Sequence, residues 1–152
     1  IQLMKYIRTE IDHRNIINQF RELRQNISPE KRSQMIILVC RIQNSIMLQA
    51  SQTTNQETLL DTFRRSIYFD DEGFDEALTE SNKTQSLDSI ASLLTHKRHA
   101  MLKRFSYLNP VSPFPVIYYI ERKVLEIQNL RLLVRGKAIG LTSEVLESHM
   151  DF

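Results

Sequence analysis

Apolar residues recur at helical spacing from the start of the chain. Leu3, Ile7 and Ile11 lie on one face, and the apolar positions of residues 16 to 23 continue the stripe on a rotated face. A period near 3.6 residues is typical of an amphipathic helix, and the rotation indicates contacts on two sides. We predict one long helix that ends near Asn26, because asparagine tolerates the left-handed conformation that closes helices.

The next segment has the composition of a helix start. Ser28, Pro29 and Glu30 supply an N-cap oxygen, a proline suited to the first turn and an acid favoured by the helix dipole. We predict a second helix from there to about Gln49, and the polar residues 50 to 58 predict a surface loop. Shorter apolar stripes predict three further helices: over residues 59 to 67, from near Asp71 or Gly73, and over residues 87 to 105.

The run "SYLNPVSPFPV" is the strongest helix breaker in the chain, because each of its three prolines disfavours helical angles in the preceding residue. Pro113 and Pro115 both suit the first turn of a following helix, where backbone amides have no intrahelical partner. That helix is predicted to reach about Ile139. Its side chains are apolar nearly all round, so we expect it to be central and buried.

The two ends of the chain are similar to each other at a constant spacing. Asn129 lies 114 positions after Asn15, and Asn26 and Gly140, both suited to closing a helix, stand at the same spacing. The same spacing gives three further identities, Arg8 with Arg122, Arg21 with Arg135 and Glu30 with Glu144. We predict an all-α helical bundle of repeated long-helix, turn and helix units. We expect a single domain with similar units near residues 1–48 and 113–152.

Polar residues on the two long apolar helices need partners wherever they are buried. An unpaired buried polar group costs about 1 to 3 kcal/mol, which favours hydrogen bonds between helices. We therefore predict a structural polar network of Asp12, Asn15, Arg21, Glu126, Asn129 and Arg135. Arg131, Arg135 and Lys137 are also candidates for a docking face, because cationic side chains near a helix end favour acidic partners.

Composition and charge narrow the class of protein. Hydrophobic residues make up 41% and charged residues 25%, which is typical of a globular domain. Lys and Arg number 20 against 18 Asp and Glu, so the charge does not indicate a nucleic-acid footprint. The apolar run 35 to 40 is far shorter than the roughly 20 residues that span a bilayer. The chain opens with Ile1 inside a helical pattern, so we expect part of a longer protein.

The single cysteine carries no predicted chemistry. Cys40 lies in that apolar run and has no second cysteine for an intrachain disulfide. A buried, inert thiol in a reducing cytosolic setting is the expectation.

The string "GKAIGLT" superficially resembles a phosphate-binding loop. Such a loop needs four residues between its glycines, a lysine after the second glycine and a preceding strand. Here three residues separate Gly136 from Gly140, and Lys137 follows the first glycine. We therefore interpret Gly140 as a helix closer and Thr142 as the next N-cap.

Two candidate metal sites also lack the residue spacing that metal binding requires. In "FDDEGFDE", alignment of Gly73 with the obligatory glycine of a calcium loop puts Tyr68 and Thr79 at positions that require carboxylates or carboxamides. His96 and His99 share a helix face without a further ligand at metal spacing. No catalytic constellation is readable, so we expect no catalytic residue, cofactor or metal.

Two segments resemble a known family. "PFPVIYYIERKVLEIQNLRLLVRGKAIGLTSEVL", residues 113 to 146, is similar to the C-terminal signature of the C subunits of V/A-type rotary ATPases, which are related to the eukaryotic d subunit. "EIDHRNIINQFRELRQNISPE", residues 10 to 30, resembles the preceding repeat of that signature. The first copy departs by carrying Glu22 and Asn26 where the second has Gly136 and Gly140.

The resemblance implies a funnel-shaped, all-helical and non-catalytic rotor subunit. Its partners would be the axle subunits D and F and the membrane proteolipid ring, on the cytoplasmic face of an ATPase that moves protons or sodium. Neither nucleic-acid binding nor a membrane span is implied. The alternative is a helical regulatory or nucleic-acid-binding adaptor unrelated to rotary ATPases, with residues 97 to 104 and Arg135 and Lys137 contacting phosphates. An enzyme acting on a small molecule would need convergent titratable groups, which the pattern does not supply.

Overall fold

The chain is all-α, as predicted from its apolar periodicity. The computed structural model describes residues 1 to 151, and this part of the chain contains eight α-helices and no strand. The helices are α1 Gln2–Arg24, α2 Pro29–Gln34, α3 Asn44–Ser51, α4 Gln56–Arg64, α5 Phe74–Thr84, α6 Asp88–Leu108, α7 Phe114–Ala138 and α8 Ser143–His149. They form two compact units, Ile1–Leu94 and the residues from Thr95 onward.

The core of the first unit forms where α1 meets α3 and α4. Ile16 and Phe20 of α1 are buried with Met47 of α3 and Leu59 and Phe63 of α4. The rings of Phe20 and Phe63 lie 6.4 Å apart at a tilted angle. Burying each such side chain contributes roughly 1.5 to 3 kcal/mol, so this cluster is the main source of stability for the unit.

The predicted continuous helix from Ser28 to Gln49 is wrong. The structure ends α2 at Gln34 and starts α3 at Asn44, and residues 35 to 43 are irregular. Side chains of α1 provide the reason, because Asp12 and Asn15 hydrogen-bond the backbone of this segment. Those bonds replace the helical ladder, and an apolar pattern read locally cannot reveal them.

In the second unit, the N-terminal end of α7 packs against α6. Phe114 contacts Phe105 of α6 with ring centroids 5.1 Å apart, and Leu102 and Leu125 are buried. A proline occupies the first turn of α7, as predicted.

The expectation that α7 is central and buried is wrong for this chain. The apolar side chains of Val116, Ile120, Leu130 and Val134 are exposed. An apolar pattern shows that side chains favour burial, but it does not identify the segment that covers them. Among the described residues, no helix combines the length and apolar character needed to cross a membrane.

Candidate functional site

Asn15 joins α1 to the irregular segment after α2. Its Nδ2 donates to the Ile37 carbonyl oxygen at 2.8 Å, and its Oδ1 accepts from the Ile37 amide at 3.0 Å. The residue is 1% exposed. A carboxamide is the side chain that can satisfy both backbone groups of one residue at once, so Asn15 holds this segment in register.

Asp12 extends the same connection by one turn of α1. Its carboxylate accepts from the Arg41 amide at 3.1 Å and from the Ile42 amide at 3.0 Å. Burial raises the pKa of Asp12 above its usual value, and the amide bonds from Ile42 and Arg41 act in the opposite direction. Asp12 and Asn15 together therefore bond backbone groups of Ile37, Arg41 and Ile42 in a segment that lacks regular secondary structure.

Asn129 of α7 makes the same pair of bonds in the second unit. Its Oδ1 accepts from the Asp151 amide at 3.0 Å, and its Nδ2 donates to the Asp151 carbonyl oxygen. In both units the bonded residues are 22 positions apart. Asp151 also follows Ile37 by the 114 positions that separate the two asparagines.

The turns that close the two long helices also correspond. Ile27 donates its amide to the Glu22 carbonyl oxygen at 3.0 Å, and Leu141 donates to Gly136 at 2.9 Å. Asn26 and Gly140 adopt left-handed φ angles of 54° and 80°. Thr142 then caps α8 by accepting from the Val145 amide. The segment "GKAIGLT" therefore ends one helix and starts another, without the strand that a phosphate-binding loop requires.

The interiors of the two hairpins, α1–α2 and α7–α8, differ in chemistry. Arg32 of α2 is 1% exposed and donates to the carbonyl oxygens of Thr53 at 2.6 Å and Ala50 at 3.1 Å, and to Gln19 Oε1 at 3.1 Å. Burial lowers the pKa of Arg32, and attraction to Glu22 raises it. A buried guanidinium needs acceptors because its charge is costly to remove from water, and here both terminal nitrogens have them while the buried Nε has none.

The second hairpin fills the equivalent space with apolar groups. Gly136 and Leu146 stand at the positions of Glu22 and Arg32, and both are buried. A side chain at Gly136 would overlap that of Leu146. Glycine at this position leaves room for the buried side chain of Leu146.

The predicted network includes three residues that the structure places on the surface. Arg21, Glu126 and Arg135 are exposed, and Glu126 accepts from Lys123 of its own helix at 2.9 Å. Asp12 and Asn15 both hydrogen-bond the backbone of the segment from Ile37 to Ile42, and Asn129 hydrogen-bonds the backbone of Asp151.

The three docking candidates lie on the exposed surface of α7. Arg131, Arg135 and Lys137 are all exposed. The first two border a shallow groove of about 250 Å³, whose other lining residues are Ile127, Leu130 and Val134. An apolar floor with a basic border is suited to a macromolecular partner or covering segment that carries acidic groups at its edge.

Acidic residues in and around the segment before α5 form salt bridges with one arginine. Arg64 of α4 contacts Asp71 at 2.9 Å, Asp61 at 3.1 Å and Asp75 at 2.7 Å. Hydrogen bonds to these carboxylates, first of all that of Asp71, raise the pKa of Arg64. Gly73 takes a left-handed φ of 80° at the N-cap of α5.

His99 and Cys40 both have side chains that are withdrawn from solvent, to different extents. His99 is buried with its Nε2 3.9 Å from Glu121 Oε2, and burial, followed by the charge of Arg122, lowers its pKa. Cys40 is half-buried, in contrast to the predicted burial. Burial raises the pKa of its thiol to about 11, so the thiol stays protonated near neutral pH. The part of the chain that the structure describes holds no group of three or more potential metal ligands.

Sequence reasoning did not identify Arg32 and Gln19 as a buried pair. Arginine and glutamine are usually exposed, and the matching positions of the second hairpin are Leu146 and Leu133, so the repeat offered no signal for them.

We expect Asn15→Leu to destabilise the first unit by about 1 to 3 kcal/mol, because the Ile37 amide and carbonyl lose their buried partner. Asn129→Leu should destabilise the second unit by a smaller free energy, since Asn129 is only partly buried. Native-state hydrogen exchange of the Ile37 and Asp151 amides measures both effects. Asn18→Leu, which changes a partly buried asparagine on the same helix as Asn15, is the matched control. Equal effects of Asn15→Leu and Asn18→Leu would show that the two bonds to Ile37 contribute nothing specific.

Comparison with known proteins places the chain in a family. The family described as ATP synthase (C/AC39) subunit matches residues 1–149. The C subunit of the A-type ATP synthase of Methanosarcina barkeri is 28% identical over 149 residues, which cover 97% of this chain and 39% of that protein. The proteins of the same name from Halobacterium salinarum and Methanococcoides burtonii are 25% and 26% identical, each over 96% of this chain and 40% of the relative. No solved structure matches the chain.

The chain thus spans about two fifths of the length of the curated relatives it matches. The resemblance seen in the two quoted segments is confirmed over nearly all of the described residues. The chain belongs to the ATP synthase (C/AC39) subunit family.

Proposed function

We propose that the polypeptide containing this chain is a non-catalytic central-stalk subunit of a V/A-type ATPase. It seats the axle subunits D and F on the membrane proteolipid ring, at the cytoplasmic face of the membrane. Its role is to hold geometry while the rotor turns and protons or sodium ions cross the membrane. It needs no cofactor for this role.

The single observation that carries the proposal is the family match over residues 1–149. Relatives that match nearly the whole chain are named as C subunits of A-type ATP synthases. The local structure suits a part that transmits torque, because Asn15 and Asn129 each fasten a long helix to the segment after its hairpin. Such side-chain connections resist relative sliding of packed elements.

We place the docking face at Arg131, Arg135 and Lys137, near the C-terminal end of α7. These exposed cations lie near the C-terminal end of α7, where the helix dipole favours positive charge. Their charges make this surface attractive to acidic groups. Charged groups at the border of an interface act mainly on the association rate and its salt dependence. The adaptor alternative uses Arg135 and Lys137 to bind phosphates, and the family match gives it no support.

We expect the double variant Arg135→Glu/Lys137→Glu of the full-length polypeptide to bind the purified D and F subunits about ten-fold more weakly, equivalent to about 1.4 kcal/mol. The reason is that two attractive charges become repulsive. Binding kinetics at two salt concentrations provide the measurement. The loss should appear mainly in the association rate and shrink at high salt.

The matched control is Lys103→Glu/Arg104→Glu, which makes the same charge change at two exposed residues of α6. It should leave binding unchanged. Equal losses in the two variants would assign the effect to net charge and remove the docking face, and failure of the unmodified polypeptide to bind D and F would overturn the rotor role. Steeply salt-dependent binding to duplex DNA would favour the adaptor instead.

A further inference from the structure

The exposed face of α7 corresponds in register to a buried face of α1. At the spacing of 114 residues, Leu130 stands at the position of Ile16 and Val134 at that of Phe20. Ile16 and Phe20 are 2% and 0% exposed, whereas Leu130 and Val134 are 53% and 66% exposed. Equivalent helix positions with apolar side chains therefore have opposite environments in the two units.

Two helices cover the face of α1 in the first unit. Met47 of α3 and Leu59 and Phe63 of α4 are fully buried in the same cluster as Ile16 and Phe20. Both helices follow the α1–α2 hairpin along the chain, and Arg32 fastens that hairpin to α3 by donating to the Ala50 carbonyl oxygen. The covering pair is thus supplied by the same polypeptide.

We propose that two helices of the same polypeptide, outside these 152 residues, cover the α7 face formed by Ile120, Ile127, Leu130 and Val134, as α3 and α4 cover α1. A contiguous exposed apolar surface is unusual on an isolated protein and marks a site that something else covers. The curated relatives supply chain for this purpose, since this sequence spans about two fifths of their length. A tethered segment also has a high effective concentration, which favours it over a second copy.

The register also shows which basic residue stays available to partners. Arg135 stands at the position of Arg21, which is exposed beside the covered face of α1. Arg131 stands at the position of Ile17, which stays partly exposed, so the covering pair borders Arg131 and leaves Arg135 and part of Arg131 open to the docking partner. An acidic side chain on the covering pair is expected near Arg131.

Alkylation of introduced cysteines tests the proposal in the full-length polypeptide. Native cysteines are first replaced, including Cys40→Ser, and Leu130→Cys and Val134→Cys are then made separately. We expect iodoacetamide to react with each at least ten-fold more slowly in the native protein than in urea. The matched control is Gln128→Cys on the same helix, because Gln128 and its counterpart Arg14 are both exposed. It should react about equally fast in both conditions.

Circular dichroism verifies that each variant is folded, and Val134→Cys is the smaller change if Leu130→Cys disturbs packing. Protection that is unchanged over a hundred-fold dilution of the purified polypeptide supports coverage by its own chain. Protection lost on dilution assigns the face to a second copy, and protection that appears only with the D and F subunits assigns it to a partner. Either result overturns the proposal, as does native reactivity equal to that of Gln128→Cys. Protection of the polypeptide alone decides the proposal, so it stands or fails separately from the rotor role, and the D and F subunits serve only to identify another occupant.

Discussion

Arg32→Leu is expected to destabilise the first unit by about 3 to 5 kcal/mol, because removing one partner of a buried charged network leaves the rest uncompensated. The carbonyl oxygens of Thr53 and Ala50 lose their guanidinium donor, and Gln19 loses its partner. Glu22 remains buried, with its pKa raised further from the usual range once Arg32 no longer attracts its charge. Native-state hydrogen exchange of the α1 and α2 amides measures the loss.

The double variant Glu22→Gly/Arg32→Leu provides the control. It installs the residues that the second hairpin carries as Gly136 and Leu146, and it removes the orphaned carboxylate. We expect it to recover part of the loss but not all, because the carbonyl oxygen of Thr53 still lacks its donor. An effect of Arg32→Leu below about 0.5 kcal/mol, the range of ordinary surface changes, would contradict the assigned role.

Gly136→Glu is expected to destabilise the α7–α8 hairpin by at least about 2 kcal/mol. Its Cβ would overlap the side chain of Leu146, and overpacking of this kind costs about 1 to 3 kcal/mol. The carboxylate also enters a buried position without a guanidinium beside it, which adds a desolvation cost. Hydrogen exchange of the Leu141 and Leu146 amides, both bonded within this hairpin, reports the change.

Gly140→Asn is the matched control, since it installs the counterpart residue Asn26 at the second helix-closing position. The space around Gly140 is open, and asparagine tolerates its left-handed φ, so the cost should stay well below that of Gly136→Glu. Leu146→Arg added to Gly136→Glu should restore part of the stability by recreating the pair seen in the first hairpin. Equal costs at Gly136 and Gly140 would contradict a packing requirement specific to Gly136, since only Gly140 has a left-handed φ.

Prediction from the sequence worked best where a short-range signal decides the structure. Apolar periodicity identified the two long helices, and a proline in the first turn starts α7. Asn26 and Gly140 take left-handed angles just after α1 and α7, at the sites predicted for them. Each of these features depends on the conformational preferences of a few adjacent residues.

The sequence indicated that polar side chains on the long helices need partners wherever they are buried, but not which residues supply them. The partners of Asp12 and Asn15 are backbone groups of residues 37 to 42, in a segment predicted to be helical, whereas Arg21, Glu126 and Arg135 of the same predicted network are exposed. Arg32 was missed because nothing adjacent to it in sequence marks the carbonyl oxygens of Ala50 and Thr53 as its acceptors.

By itself, the sequence determined the helical class, the long helices with their closing turns, and the spacing of 114 residues that relates Asn15 to Asn129. The tertiary structure decided where the second helix breaks, which polar groups meet, and that Ile16 is buried whereas Leu130 is exposed. Helix formation depends on hydrogen bonds and side chains within a few residues. Burial depends on which distant segment packs against a face and excludes water from it, and the apolar pattern of that face does not identify the segment.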